Sequence, residues 1–192
     1  LTRPDDIAGL LRAIEGYQGN VTTKSALQLS ALLFVRPGEL RRMEWTELDL
    51  KSRQWRIPGR KMKMGEEHIV PLPDQAIDII QHLEQVNGHS EYVFPSIRAA
   101  SRPMSENTIT GALRRLGYSG DEMTAHGFRA MASTRLNELG WDPALIERQL
   151  AHEERNKVKA SYNRAQYLER RHEMMQGWAD YLEALRAGEA NN

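Results

Sequence analysis

Residues 25–35, SALQLSALLFV, contain almost nothing polar. A helix over such a run is apolar on every side, and only a central, buried position keeps all its faces from water. The rest of the chain must therefore wrap this segment. The run also has a fixed stop. Pro37 disfavours helical geometry in the residue before it, so the helix must end at Arg36. Pro37 can then open a new helix, PGELRRMEW, at its first position. Arg36 is thereby pinned at a break between a buried helix and a new one.

Around this segment the hydrophobic period changes twice. Ile7, Leu10, Leu11 and Ile14 repeat at helical spacing behind Asp5 and Asp6. Between Leu48 and Leu72 the pattern shortens: Gln54-Trp55-Arg56-Ile57 alternates, and His68-Ile69-Val70-Pro71-Leu72 ends in a short apolar strand. Pro58, Gly59 and Gly65 lie between, which predicts an antiparallel hairpin with a basic tip at 59–67. Helical spacing returns with Ala76, Ile80, Leu83 and Val86. Tyr92-Val93-Phe94-Pro95 reads as a short extended piece. Ser105 is expected to cap a helix carrying Ile109, Ala112, Leu113 and Leu116 that Gly117 ends, and Phe128, Met131, Ala132, Leu136 and Leu139 mark another that Gly140 ends. Asp142-Pro143 restarts the chain as cap and first-position proline. A last helix over 168–186 presents Met175, Trp178, Tyr181, Leu182 and Leu185, and residues 187–192 form a frayed tail. The expected fold is mainly α with one small antiparallel β-sheet (α+β), in a single domain over 1–186.

The 192 residues include no cysteine, which removes disulfides and thiol chemistry and suits a reducing cytoplasm. No apolar run reaches the ~18 residues a membrane span needs. Starting at Leu1 directly before a helix, the chain is expected to be a domain of a longer protein. Formal net charge is zero, 26 basic against 26 acidic residues. Nucleic-acid binding needs local rather than global positive charge. Lys51, Arg53, Arg56, Arg60, Lys61 and Lys63 make one basic cluster, and Arg155, Lys157, Lys159 and Arg164 another. Each run taken alone is most simply a solvated face.

The stretch 124–162 concentrates the groups that phosphodiester chemistry needs. Metal-free strand cleavage requires a nucleophile, cations on the non-bridging oxygens and an acid for the departing 5′ oxygen. The planar fork of arginine suits those oxygens. Arg36 and Arg129 are the candidates, with Glu39 beside Arg36 as support. His126 stands three residues before Arg129, on the same helix face. His152 falls at the end of the helix opened by Pro143, where a charged imidazole is favoured. Tyr162 lies among Lys157, Lys159 and Arg164. Tyr181 fits the apolar face of the last helix, while Tyr167 competes with Tyr162 as nucleophile. Taken singly, each has an ordinary structural explanation.

Together they resemble a known family. VRPGEL at 35–40, a hairpin lysine before HIVPL at 68–72, HGFR at 126–129, LAH at 150–152 and Tyr162 are similar to the catalytic domain of tyrosine recombinases, most closely phage and genomic-island integrases. The resemblance spans almost the whole chain. It implies a site-specific DNA recombinase that cuts and rejoins strands through a 3′-phosphotyrosyl intermediate. Arg36, Lys63, His126, Arg129 and His152 would be catalytic, with Tyr162 as nucleophile and no metal or cofactor. Lys61, two residues from Lys63, is the alternative acid. Arg60, Lys61, Lys157 and Lys159 are expected to contact DNA. Relatives often carry glycine where this chain has Ala151, and their tyrosine often follows the histidine by one residue fewer. The resemblance further implies a partner in double-stranded attachment-site DNA, and a homotetramer on DNA from a protomer that is monomeric in isolation. C-terminal segments would be exchanged, so that helix 168–186 docks on a neighbour. Three other readings stand beside it: a type IB topoisomerase-like strand cutter, a non-catalytic helical DNA-binding module, and a metal-dependent nuclease, which lacks a clustered carboxylate pattern.

Overall fold

The computed structural model describes residues 1–63, 65–151 and 164–189, with side chains of the last segment from Tyr167 onward. The apolar run forms helix α2 (Val21–Leu33). Asn20 starts it by accepting a hydrogen bond from the Thr22 amide at 2.8 Å. It ends two residues before the last apolar position, because Phe34 turns into the left-handed region at φ 39°. Leu27, Leu29, Leu33 and Phe34 are fully buried. Helix α1 (Pro4–Glu15) packs against α2 and the last helix, with Ile7, Leu10 and Ile14 buried.

Helix α3 (Pro37–Leu40) is a single turn, shorter than the PGELRRMEW run suggests. The backbone beyond it finds better partners elsewhere. The Met43 carbonyl accepts the Val93 amide at 2.9 Å, and Glu44 bridges Tyr92. A three-stranded antiparallel sheet follows, ordered β1 (Leu48–Asp49), β2 (Gln54–Ile57), β3 (His68–Pro71). Its register pairs Trp55 with Val70 and Ile57 with His68, which turns Trp55, Ile57 and Val70 into the core. Helix α4 (Asp74–Asn87) covers α2 from another side. A second small sheet was not expected. Strand β4 (Pro95–Ser96) pairs with β5 (Ala99–Pro103), and their residues, none of them buried, carry no alternating pattern to betray them.

Helices α5 (Thr108–Arg115), α6 (Gly127–Glu138) and α7 (Pro143–Gln149) close the core. Gly117 at φ 93° and Gly140 at φ 81° end the first two, as their positions in the sequence suggest. Asp142 caps α7 at the Ala144 amide, and Pro143 opens it. The last helix, α8 (Arg164–Ala187), is longer than expected and docks on this chain's own core. Met174, Met175 and Trp178 are fully buried, Trp178 Nε1 donates to the Ala31 carbonyl at 2.9 Å, and its ring meets Phe34 edge-on at 6.1 Å. Gln176 ties α8 to α4 and the sheet by accepting from the Asp74 amide and from Arg53. Among the described residues no helix is long and apolar enough to cross a membrane.

Candidate active site

The site grows from two chain breaks. The turn that ends α2 leaves the Phe34 carbonyl without a helical partner, and α7 likewise ends at Leu150 and Ala151. Two arginines fill these ends. Arg129, in the first turn of α6, donates through Nη1 to the Phe34 carbonyl at 3.1 Å and through Nη2 to the Leu150 carbonyl at 2.8 Å. Arg36, immediately before α3, donates through Nη2 to the Ala151 carbonyl at 3.3 Å. Its Nη1 pairs with Glu39 at 2.9 Å, and its amide donates to the other Glu39 oxygen at 3.0 Å. Glu39 is buried, so it supports Arg36 from beneath. Burial, and then the neighbouring Arg36 charge, lower the Arg129 pKa below its ordinary value, while Glu39 and Glu147 pull it back up. Two guanidinium groups held this close favour an anion between them.

Both carbonyl platforms use strained backbone. Phe34 (φ 39°) and Ala151 (φ 50°) are two of three non-glycine residues with positive φ among the described residues. A side chain in this conformation costs on the order of 1–2 kcal/mol. Replacing Ala151 by glycine should therefore raise stability by about 0.5–1 kcal/mol, after the extra chain entropy of glycine is subtracted. A melting curve checks this: an unchanged or lower midpoint would mean that Ala151 is unstrained.

The two lysines of the hairpin have different surroundings. Lys61 Nζ donates to the Arg42 carbonyl at 2.8 Å and ion-pairs with Glu44 at 2.5 Å and with Glu47. An ammonium has three donors, and these three acceptors use them all. Glu47 is further held by Trp55 Nε1 at 3.0 Å. Lys61 is thus a largely shielded strut under the hairpin. Arg60 is exposed, 3.8 Å from Glu44, and Lys63 is exposed two residues beyond the strut. One cleft is lined by Arg36, Glu39, Arg42, Lys61, Lys63 and His126. His126 lies at the cap position just before α6, so it faces the cleft from the helix end rather than from Arg129's helical face.

Beneath the arginines lies a buried polar group that sequence reasoning missed. Gln149 Nε2 donates to the Leu33 carbonyl at 3.2 Å, and Gln149 Oε1 accepts from Arg171 Nη2 at 2.5 Å. Arg171 also donates to the Ile69 carbonyl at 2.7 Å. His68 Nε2 lies 3.1 Å from the Gln149 carbonyl, and because a carbonyl only accepts, that nitrogen carries the proton. Burial, then the Arg171 and Arg148 charges, push His68 down to about 3, so it is neutral at physiological pH. Burial, then Arg148, lower Arg171 to about 9. The one usable sequence signal was polarity: a glutamine and an arginine at positions their helices bury.

Arg36, Glu39, Lys63 and His126 thus line one cleft, and Arg129 lies close enough to Arg36 and Glu39 to feel their charges. His152, Tyr162, Lys157 and Lys159 lie outside the described residues. Tyr167 is partly buried against the core at the start of α8. Tyr181 packs as its position suggested: Arg135 Nη2 donates to its hydroxyl at 2.7 Å, and its ring lies 5.8 Å from that of Trp178. No group of three or more metal-binding side chains occurs among the described residues.

Comparison with known proteins fits this geometry. The model of the phage integrase family matches residues 1–169. The integrase of Enterobacteria phage P4 is 44% identical over 191 residues, covering 92% of this chain and 44% of that protein. The chain thus spans less than half of that relative's length. Among solved structures, the integrase from mycobacterium phage Brujita superposes with a TM-score of 0.72 at 21% identity, over 100% of this chain and 64% of that one. A lambda integrase tetramer bound to a Holliday junction gives 0.61 at 20% identity, over 82% of this chain and 47% of that one. At such identities these two structures speak for the fold alone.

Proposed function

Because the chain belongs to the phage integrase family, we propose that it is the catalytic unit, residues 1–186, of a site-specific DNA recombinase. The observation that carries this reading is the arginine pair, hung on three backbone carbonyls beside a cleft that also holds Lys63 and His126. In the proposed reaction Tyr162 attacks the scissile phosphorus. Arg36 and Arg129 hold the non-bridging oxygens as charge builds there. His126 and His152 assist by hydrogen bonding, and Lys63 protonates the departing 5′ oxygen. The 3′ phosphate is then joined to tyrosine, and attack by a second 5′ hydroxyl reverses the chemistry on a new strand. Double-stranded attachment sites are the substrate, with Arg60, Lys157 and Lys159 as phosphate contacts. Four protomers assemble on DNA, each monomeric off it, and the protein acts in the cytoplasm. Strand exchange between two matching duplexes tests recombination; relaxation of supercoils without exchange would favour a topoisomerase, and no cleavage at all a binding module.

The lysine assignment has its own test. Lys63→Met should cleave ordinary DNA slowly but cut at nearly the normal rate when sulfur replaces the bridging 5′ oxygen, because a thiolate leaves without a proton. Arg36→Ala should gain no such rescue. If sulfur rescues Lys61→Met instead, Lys61 is the acid and its strut role is wrong.

A further inference from the structure

The three carbonyls that hold the arginine pair come from two chain ends far apart in sequence. Phe34 follows Leu33 at the end of α2, and Leu150 and Ala151 follow Gln149 at the end of α7. One side chain spans the gap. The Gln149 side chain is buried, its residue only 1% exposed. Its amide orientation is fixed by its partners: the Leu33 carbonyl can only accept, and Arg171 can only donate. The neutral His68 ring binds the backbone carbonyl of the same residue. Gln149 is therefore held at three points and ties the α2 end to the α7 end directly beneath Arg129 and Arg36.

We propose that Gln149, braced by Arg171, is a positioning residue for strand cleavage: it sets the spacing between the Phe34 carbonyl and the Leu150 and Ala151 carbonyls, and through them the aim of Arg129 and Arg36. This deepens the functional reading above and rests on it. A guanidinium bonded to two carbonyls from different segments points where those segments place it. A shift of either end tilts Arg129 and moves Arg36 with Ala151. Because reaction rates depend steeply on alignment, a displacement near 1 Å costs about a hundredfold. Arg171 belongs to α8 and also grips the Ile69 carbonyl of β3, so the docking of the last helix on its own core is transmitted to the arginines through one amide.

The test is Gln149→Met in the intact protein, which keeps the side-chain volume and removes both amide bonds. Cleavage of pre-bound DNA should slow by about tenfold to a hundredfold, with DNA affinity nearly unchanged. On DNA whose scissile phosphate is a neutral methylphosphonate, which carries no charge for the arginines to hold, the deficit against the unsubstituted protein should shrink. A variant that is merely less stable would be equally slow on both substrates, and that result overturns the proposal. A second measurement needs no activity. Nitrogen NMR of the arginine side chains should show slowly rotating guanidinium groups for Arg36 and Arg129, and lose both signals in Gln149→Met and in Arg171→Met. Signals retained in both variants would overturn the positioning role. If the unsubstituted protein forms no covalent adduct on either DNA, the recombinase reading fails, while the NMR result still decides whether Gln149 positions the two arginines.

Discussion

Tyr162→Phe should abolish covalent attachment to DNA and leave DNA affinity nearly unchanged. Phenylalanine keeps the ring and loses only the oxygen that is to attack phosphorus. A free phenol has a pKa near 10, so it needs help to act at neutral pH. The cations proposed around it supply that help by stabilising both the phenolate and the charge that builds on the phosphate. No other group of the substituted ring can form the ester, so the expected loss is complete. The competing tyrosine is Tyr167, partly buried at the start of α8. An adduct that persists in Tyr162→Phe and disappears in Tyr167→Phe would move the nucleophile to that helix.

Arg129→Ala should slow cleavage by about 10²–10³, the usual effect of deleting one preorganised charge donor, and Arg36→Ala should do the same. The geometry predicts a difference between them in stability. Removing Arg129 leaves the Phe34 and Leu150 carbonyls without this donor, at a cost of about 1–3 kcal/mol if one of them stays unsatisfied. Removing Arg36 instead leaves the buried Glu39 without its cation while freeing Arg129 from a like charge. Both variants should therefore melt earlier, and rates must be compared well below the melting range. Lysine should rescue neither, because an ammonium lacks the planar fork that makes two parallel bonds to phosphate. Cleavage should survive EDTA, since the arginines do the work a metal would do. An EDTA-dead protein would contradict this.

What could be read from the residues depended on how local each cause was. Pro37 fixes the break before α3, and Asp142, Pro143, Gly117 and Gly140 mark helix ends through neighbours a few residues away. Those signals placed Arg36 at an element end, while the position of Arg129 in the first turn of α6 had no such local mark. The different surroundings of Lys61 and Lys63 were not local either, because Glu44 and Glu47 lie well before the hairpin and only the fold brings them under Lys61. Gln149 was illegible for the same reason: its partners are a backbone carbonyl of α2 and a guanidinium of α8. The glycine that relatives often carry before the second histidine acquires a physical sense here, since Ala151 occupies the left-handed region that glycine tolerates best.

The central claim is that a tyrosine, aided by cations and no metal, becomes joined to the 3′ end of cut DNA. Nicked duplex bearing the cognate site loses a short fragment after cleavage, so the joined state is trapped. Incubation in EDTA, followed by a denaturing gel and trypsin digestion of the shifted band, locates the join. Cleavage after Lys159, Arg164 and Arg170 separates Tyr162 and Tyr167 into the peptides ASYNR and AQYLER. A nucleotide adduct on ASYNR is the predicted result; an adduct on AQYLER, or cut DNA with no attached protein, would contradict it.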